Sequence, residues 1–429
     1  MAISRLVTLA VLFYALLLAG LGLMRSELLA LALPLGVYWL ASLWLAPNKL
    51  KLSARRTLNI THLSAGGTVD VQLELENQGS AIDQLWLRDS LPPGLEVIAG
   101  QPGRLVSLQP GEKLRLEYTV RVMRGVYAYD TVDVQVSDDF GLAVSRLRLP
   151  AEGSISVLPQ AVRLRGIPLR PYYTMGYHGT IPARRGGTGV SFFGVRDYQA
   201  GDALRQVNWR LGARHPDVLY SNEFQVDAAA DVGLLLDARR ESYMAFGSDS
   251  LFEYAVQATA SLALSILGEG NKVGLLAFGH ILSWTLPSYG KLQAERIFQA
   301  LAALHLGNMQ NEIPEPLITH FFRPGSQVVV ISPLTRWDVM ALQRLQARRY
   351  NILVVTPDPA SFETQHLAPG TSRELALRIA RLERQQLLRP LRRAGILTLD
   401  WDVAQPLDQA VSTLQRNVIS SWPLSGGRL

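Results

Sequence analysis

Val232-Gly-Leu-Leu-Leu-Asp237 is the stretch that decides the fold of the C-terminal half of the chain, because it is an apolar run of strand length that ends in an acid. Three further runs of this kind follow it, at 272–278, 327–331 and 351–355. Short apolar runs that alternate with helical patterns are typical of a mainly parallel sheet covered by helices on both faces. The sequence therefore predicts a doubly wound α/β domain over residues 231–429.

Hydrophobic periodicity predicts the other elements of this domain. Two more strands are expected at 281–286 and 396–399. The predicted helices cover 250–267, 292–304, 338–348, 373–393 and 407–420. The helix at 373–393 holds seven arginines and two glutamates, and two interpretations stay open for it. Either it is solvated and packs through Ile379, Leu382 and Leu387, or it contacts anionic lipid headgroups.

Residues 57–150 show a different pattern, in which apolar and polar residues alternate. The alternation is clear in Thr68–Glu76 and recurs at 113–122 and 132–136, with turn residues between these runs. A period of two residues is typical of half-buried strands. The sequence predicts an immunoglobulin-like β-sandwich that serves as a spacer or docking module, with carbohydrate or peptide binding as the alternative.

Two uncharged apolar runs open the chain, at 6–24 and 28–46, and each is long enough to cross a bilayer as a helix. Only three residues separate them, so residues 1–56 are predicted to form a transmembrane helical hairpin; a cleaved signal peptide is the alternative. Four basic residues follow the second run: Lys49, Lys51, Arg55 and Arg56. By the positive-inside rule they predict a plasma-membrane protein with both termini and its soluble domains in the cytoplasm.

Composition excludes several classes of protein. The chain has 429 residues and no cysteine, which excludes disulfide scaffolds, thiolate metal sites and cysteine nucleophiles. Six basic residues and one acidic residue lie in residues 1–56, so this segment accounts for +5 of the formal net charge of +6. The basic character belongs to the membrane segment, and no nucleic-acid partner is predicted.

Residues 151–230 carry the most specific pattern. Seven glycines fall within 176–201, around Arg184-Arg-Gly-Gly-Thr-Gly189, and predict a mobile loop. A spaced motif follows, formed by Arg196, Tyr198, Gly201, Asp202, Arg205, Trp209, Ala213 and Arg214. Asp202 is expected to cap a helix that carries Leu204, Val207 and Leu211 on one face. The motif is interpreted either as a buried cluster of ion pairs and stacked rings or as an exposed surface for a partner.

This motif resembles the signature of the family catalogued as domain of unknown function 58. Arg124-Gly-Val-Tyr127 and Asp139-Phe-Gly-Leu142 are similar to another stretch of these proteins, and the order of the predicted domains resembles theirs over nearly the full chain. The resemblance implies a prokaryotic membrane protein associated with the MoxR group of AAA+ ATPases. It implies no defined biochemical activity.

The resemblance also implies a von Willebrand factor A-like fold for residues 231–429. Such domains hold a divalent cation with Asp-x-Ser-x-Ser after the first strand. Here Asp237 is present, but Arg239 and Glu241 stand at the serine positions, and Ser332-Pro333 follows a later strand with no acid. A guanidinium repels a cation that needs several oxygen ligands, so we predict no metal and expect Arg239 to neutralise Asp237.

The residues of this degenerate metal site support two interpretations. They form either a plain surface loop or a contact for a partner protein that needs no metal. The residues concerned are Asp237, Arg239, Glu241 and Ser332.

The chain lacks the common catalytic motifs. It has no phosphate-binding loop, no His-Glu-x-x-His and no Gly-x-Ser-x-Gly, and its seven histidines show no ligand spacing. We therefore predict no catalytic residue and no cofactor. The expected function is a membrane-anchored, non-enzymatic scaffold or adaptor that works with a MoxR-type AAA+ ATPase in assembly or maturation of envelope complexes. The alternatives are a hydrolase with a site near Arg184 and Ser191, and a metal-independent adhesion module that faces outward.

Overall fold

The computed structural model describes eleven stretches of the chain: 5–45, 50–59, 62–137, 144–169, 174–187, 191–215, 217–247, 249–279, 283–308, 312–367 and 370–420. For some of these residues, chiefly 174–187, 191–193 and 223–229, the backbone alone is described. The chain forms two compact units, Met1–Leu158 and Pro159–Leu429. The predicted multidomain organisation, with β-rich and α/β parts, is confirmed.

Two helices open the first unit, α1 at Arg5–Gly22 and α2 at Ser26–Leu45. They contact each other, because the ring of Phe13 stacks on that of Trp39 with 6.5 Å between ring centroids. Their described apolar stretches, 7–22 and 26–41, are shorter than a full bilayer span. Among the described helices, Leu251–Gly268 does reach that length, and 72% of it is buried inside the second unit. The two transmembrane spans therefore stay predictions.

Nine strands complete the described part of the first unit. They are β1 Leu52–Leu58, β2 His62–Ser64, β3 Thr68–Asn77, β4 Ile82–Asp89, β5 Glu96–Gly100, β6 Gly103–Leu108, β7 Lys113–Arg121, β8 Gly125–Ser137 and β9 Val144–Leu158. One sheet has the order β1-β3-β7-β5 and the other β2-β9-β8-β4-β6. Leu73 and Leu75 from the first sheet share a core with Leu85 and Leu87 from the second. The alternating pattern thus buries one face of each sheet, as predicted.

Arg56 lies inside this unit rather than on the flank of a membrane helix. It is a residue of β1 whose guanidinium is fully buried and donates to the carboxylate of Asp89 and to the carbonyl of Ala151. The hydroxyl of Tyr118 donates to the same carboxylate at 2.7 Å, and the ring of Tyr129 lies 4.3 Å from the guanidinium carbon. The boundary predicted at residue 56 is wrong, because β1 begins at Leu52. Arg56 cannot serve as one of the basic residues that flank the second membrane helix, because its charge is neutralised in the core.

The second unit is built on a sheet in the order β16-β15-β12-β17-β18-β19. Its main strands are β12 Tyr220–Asp237, β15 Lys272–Phe278, β16 Ser283–Ser288, β17 Gln327–Ile331, β18 Asn351–Pro357 and β19 Leu397–Trp401. All neighbouring pairs on this path are parallel except β15–β16. Two further strands, β10 at Thr174–Gly187 and β11 at Ser191–Asp197, pair antiparallel with β12. A small antiparallel pair, β13 at Ala245–Phe246 and β14 at Asp249–Ser250, lies apart from the sheet.

Helices cover both faces of this sheet, as predicted. They are α3 Trp209–Gly212, α4 Leu251–Gly268, α5 Gly290–Ala303, α6 Glu315–Phe321, α7 Arg336–Ala347, α8 Pro359–His366, α9 Thr371–Arg393 and α10 Leu407–Ser420. One face buries Leu234 and Leu236 with α4 and α10, and the other buries Leu235 with α7 and α9. Alternate residues of a strand point to opposite faces, and both faces are covered, which is why the run at 232–236 is continuously apolar.

Three further features of the described residues differ from the prediction. The short helices α6 and α8 bury only one and two residues each, so they leave no periodic pattern in the sequence. The boundary placed at residue 150 falls inside β9, and the one at residue 230 falls inside β12. Residues 151–230 are therefore not a separate segment, because β12 runs without a break from the signature into the main sheet.

Candidate functional site

The carboxyl ends of β12 and β17 place Asp237 and Ser332 side by side. The hydroxyl of Ser332 donates to Asp237 Oδ2 at 2.7 Å and accepts from the amide of Leu334 at 2.9 Å. Both side chains are buried. Because these strands are parallel neighbours, this edge is where doubly wound sheets place their ligands.

Arg239 folds back onto this pair and binds two carboxylates. Its Nε lies 3.0 Å from Asp237 Oδ1 and its Nη2 lies 2.8 Å from Asp237 Oδ2, a two-pronged contact that only a guanidinium makes. The same Nη2 donates to Asp338 Oδ2 at 2.8 Å. The predicted pairing of Arg239 with Asp237 is confirmed. We name these four residues, Asp237, Arg239, Ser332 and Asp338, the Arg239 cluster.

Asp338 is the functional residue that sequence reasoning missed. The loop was expected to lack an acid, since none follows Ser332 directly. Asp338 stands six positions further on, in the first turn of α7, where its Oδ2 accepts from the amide of Thr335 at 2.7 Å and from its hydroxyl at 2.9 Å. The Thr335-x-x-Asp338 spacing is a capping-box pattern, and it was the signal that could have located this carboxylate.

The surroundings of the cluster favour the charged guanidinium. Burial by itself would lower the pKa of Arg239, but hydrogen bonds to Asp237 and Asp338 outweigh it and raise that pKa above its usual value. The guanidinium carbon also lies 5.1 Å from the centre of the Phe278 ring. Gly279 packs directly against the backbone of Arg239. Its φ is +118° and a Cβ there would lie 2.4 Å from the amide nitrogen of Arg239, so this position requires glycine.

The Arg239 cluster holds a built-in cation between two buried carboxylates. Asp338 Oδ1 is buried and accepts no hydrogen bond within the described part of the chain. Across the same described residues, no group of three or more His, Asp or Glu side chains is arranged to hold a metal ion. The absence of a metal stays a prediction, but the guanidinium occupies the electrostatic role that a cation would take.

Burial corrects the prediction that these residues contact a partner directly. The side chains of Asp237, Arg239 and Ser332 are buried, and only Glu241 of the predicted set is exposed. The large exposed side chain beside the cluster is Trp337, the neighbour of Asp338, with 69% of its surface accessible. A sequence pattern alone could not identify it, because exposure depends on how α7 packs.

The signature motif folds as an excursion from the hairpin of β11 and β12. Arg196 pairs with Ser221 across the two strands, and the chain between them turns at Gly201, whose φ is +112°. Asp202 Oδ1 accepts from Arg196 Nη2 at 2.7 Å, and Asp202 Oδ2 accepts from the amide of Gln199 at 3.0 Å. These hydrogen bonds, that of Arg196 first, lower the pKa of Asp202.

The helix predicted after Asp202 does not form. Residues 204–206 make one 3₁₀ turn, Val207 is extended and bridges to Ser221, and the single turn of α3 follows with Asn208 as its N-cap. The amide of Leu211 donates to Asn208 Oδ1 at 3.0 Å. Burial of Val207 against β12 breaks the helical pattern, so Asp202 closes a turn with Gln199 instead of capping a helix.

Most of the signature is exposed rather than buried. Leu204 has 71% and Trp209 has 64% of its surface accessible, and Gly201, Arg205, Ala213 and Arg214 are exposed as well. The interpretation as a buried, stacked cluster is wrong for these residues. Arg196, Tyr198 and Asp202 are half-buried and form its base. We name Leu204, Arg205, Trp209, Arg210 and Arg214 the signature surface.

Two other predicted segments fall outside the described residues. They are residues 188–190 of the glycine-rich loop and residues 139–142 of the second resembling stretch. Arg184 and Ser191 are described by their backbone alone, in β10 and β11. The hydrolase site expected there stays a prediction.

The fold and the two sites define a multidomain protein with a β-rich unit and an α/β unit. Residues 194–365 match the sequence profile of the family described as "Protein of unknown function DUF58", which confirms the resemblance carried by the signature. The uncharacterized protein YeaD of Bacillus subtilis (strain 168) is 25% identical over 343 residues, covering 76% of this chain and 82% of that protein.

Solved structures show a weaker likeness. The CARDB domain of the PF1109 protein from Pyrococcus furiosus is 17% identical and covers 25% of this chain and 93% of that domain, with a TM-score of 0.18. The cupredoxin domain of amoB from Nitrosocaldus yellowstonii is 14% identical and covers 28% of this chain and 97% of that domain, also with a TM-score of 0.18. At these TM-scores neither structure carries an argument about function.

Proposed function

We propose that the protein is a membrane-anchored, non-enzymatic adaptor of the prokaryotic plasma membrane that presents a protein-interaction surface in the cytoplasm. The observation that carries the proposal is the exposure of Trp209 and Leu204 in the middle of the family signature. Tryptophan and arginine are enriched among the residues that dominate binding energy at protein interfaces, and Arg205, Arg210 and Arg214 are exposed beside Trp209 in the sequence.

The base of the signature surface supports this role. Asn208 caps α3 and also donates from its side chain to Asn222 Oδ1 on β12 at 2.8 Å. The ion pair of Arg196 and Asp202 fixes the preceding turn to β11. A surface held by such contacts loses little conformational entropy when a partner binds, which favours affinity.

The family resemblance supplies the first partner to test, a MoxR-type AAA+ ATPase, and with it a role in assembly or maturation of envelope complexes. The strand order, with an antiparallel edge strand β16, supports the assignment of the α/β part as von Willebrand factor A-like. The Arg239 cluster would then hold this fold without a metal.

The apolar helices α1 and α2 support the membrane anchor. Of the basic residues after α2, Lys51 and Arg55 are exposed and remain available at the cytoplasmic surface, whereas Arg56 is buried. A topology reporter fused after Leu429 tests this orientation. Reporter activity on the outer side would contradict it and favour the outward-facing adhesion module.

The decisive experiment measures binding of a purified MoxR-type ATPase from the same organism to the full-length protein in nanodiscs, with ATP, with ADP and without nucleotide. We expect nucleotide-dependent binding that Trp209→Ala weakens by roughly 30-fold, the loss typical of an interface hot spot. Trp284→Ala is the matched control, since Trp284 is also exposed but lies on the edge strand β16. Absence of nucleotide-dependent binding, or an equal loss in both variants, would refute the proposal.

A further inference from the structure

Helix α9 is fixed to the α/β unit by its C-terminal third and by inward-facing arginines. Leu388 and Leu391 are buried in the core on one face of the sheet. Arg384 reaches inward, and its Nε lies 2.6 Å from Asp400 Oδ1 and 3.3 Å from Asp358 Oδ1. These contacts set which side of the helix faces the sheet, and therefore which side faces away from it.

That opposite side carries an apolar stripe. Leu375, Ile379 and Leu382 follow one another at four and three positions, so they share one face of the helix. Their exposed fractions are 61%, 52% and 60%. The interpretation in which Ile379 and Leu382 pack the helix onto the domain is wrong, because packing uses Leu387, Leu388 and Leu391 instead.

Arginines border this stripe. Arg378 lies three positions after Leu375 and four before Leu382. Arg389 and Arg393 lie on the same face of the helix, beyond the C-terminal end of the apolar stripe. The exposed charged residues of the helix are five arginines and two glutamates: Arg378, Arg381, Arg389, Arg392, Arg393, Glu374 and Glu383. A surface cleft of about 590 Å³ lies here, and its described lining residues include Gln385, Gln386 and three of these arginines.

We propose that α9 is an interfacial helix that lays this face on an anionic membrane surface. This would be a second membrane contact, and the proposal rests on the proposed membrane anchor. The arginines would bind lipid phosphates, for which a guanidinium offers paired donors. Leucine and isoleucine side chains would enter the boundary between headgroups and acyl chains. The chain would then be attached to the leaflet at two places, through α1 and α2 and through α9.

Charge complementarity makes a lipid surface the occupant. An apolar stripe bordered by positive charge is the pattern of helices that lie in the interface of anionic membranes. A protein groove that takes up three aliphatic side chains would not by itself explain why the charged residues beside them are mostly positive. The test below includes a protein occupant as an outcome that overturns the proposal.

The lack of cysteine allows a sharp experiment with the full-length protein. Gln386→Cys places a single fluorescent label on the same face, four positions after Leu382, without removing any residue of the stripe. Gln409→Cys is the matched control, since Gln409 is exposed on α10, which packs on the other face of the sheet. Each labelled protein is placed in phosphatidylcholine nanodiscs with and without phosphatidylglycerol, and quenching by lipids spin-labelled near the headgroup is measured.

We expect loss of fluorescence at position 386 with phosphatidylglycerol and little loss at 409. Arg378→Gln with Arg381→Gln, two exposed positions, and added salt should each reduce the quenching at 386. Equal quenching at both positions, or quenching that ignores phosphatidylglycerol, would overturn the proposal. So would shielding of the 386 label from an aqueous quencher without any lipid quenching, which marks a protein occupant.

Failure of the anchor gives a separate readout. If the chain does not stay with the nanodisc during chromatography, the proposed anchor fails while α9 is still tested. The same labelled proteins are then mixed with preformed phosphatidylglycerol vesicles. Quenching confined to position 386 would support the α9 contact on its own, and its absence would overturn it.

Discussion

Arg239 Nη2 lies 2.8 Å from Asp338 Oδ2, although 99 positions separate the two residues in the sequence. The same guanidinium binds Asp237 at the end of β12, so one side chain joins the central strand to the start of α7. Because all three side chains are buried, Arg239 supplies the counter-charge for both carboxylates. The stability of this sheet edge should depend on it.

Replacing Arg239 by serine should destabilise the α/β unit by about 3–5 kcal/mol, because two buried carboxylates lose their partner. Urea unfolding of the full-length protein measures the loss of stability. Hydrogen exchange of the β12 amides shows whether this strand is affected. Arg240→Ser is the control, since Arg240 is an exposed neighbour and its loss should cost within about 0.5 kcal/mol. Equal effects of the two substitutions would contradict a structural role for the ion pair.

Divalent cations should distinguish Arg239→Ser from the wild-type protein. Removal of the guanidinium frees carboxylate oxygens of Asp237 and Asp338, next to the Ser332 hydroxyl, and oxygens are the ligands that Mg²⁺ and Mn²⁺ require. We expect calorimetry to show no binding of Mg²⁺, Ca²⁺ or Mn²⁺ to the wild type, and Mn²⁺ to raise the melting temperature of the variant. Binding by the wild type that disappears in Asp237→Ala would refute the no-metal prediction.

The sequence predicts the central strands of the α/β sheet well because these strands are buried on both faces. Strands β15 and β17 form at the residues where the sequence predicts them, since both faces of each strand are covered and every position after the first is apolar. The signature could not be predicted in the same way. Its helical spacing is overridden by one tertiary contact, the bridge of Val207 to Ser221 on β12.

The candidate sites show the limit of periodicity more directly. A pattern states which residues share a face, as Leu375, Ile379 and Leu382 do, but not whether another element covers that face. Ion pairs between distant residues leave no local signal at all. Arg239 with Asp338 and Arg56 with Asp89 both required the fold to bring them together.

Loss of Asp89 should destabilise the β-rich unit. Asp89→Ala would leave the buried guanidinium of Arg56 without a counter-charge and Tyr118 without its acceptor, which costs about 3–5 kcal/mol. Asp83→Ala, at an exposed position of the same strand, is the control and should change stability little. Hydrogen exchange of strands β1 to β9 measures both, and similar protection in the two variants would contradict the prediction.

Truncation of two tryptophans of the second unit should change its stability by very different amounts. Trp209→Ala should leave stability within about 0.5 kcal/mol of the wild type, because the side chain is exposed. Trp401 is buried and its Nε1 donates to the carbonyl of Gln405 at 2.9 Å, so Trp401→Ala should cost about 3–5 kcal/mol. Thermal unfolding compares them. A large loss for Trp209→Ala would show that the signature surface is structural rather than free for a partner.

The contact between α8 and the hairpin of β13 and β14 should weaken as pH rises above about 6.5. His366 Nδ1 lies 3.0 Å from the carbonyl oxygen of Phe362, His366 Nε2 lies 3.2 Å from Asp249 Oδ2, and its ring stacks on Phe246 with centroids 5.1 Å apart. These hydrogen bonds, the one to Phe362 first, raise the pKa of His366 above its ordinary value near 6.5. Because the folded-state pKa is higher than the unfolded-state pKa, the stabilisation is complete below about pH 6.5 and is lost as pH rises through the folded-state pKa.

Hydrogen exchange of the hairpin amides between pH 6 and 8, corrected for the intrinsic rate, should show protection falling with pH in the wild type and changing less in Asp249→Asn. The same pH dependence in both proteins would mean that Asp249 does not hold the proton on His366.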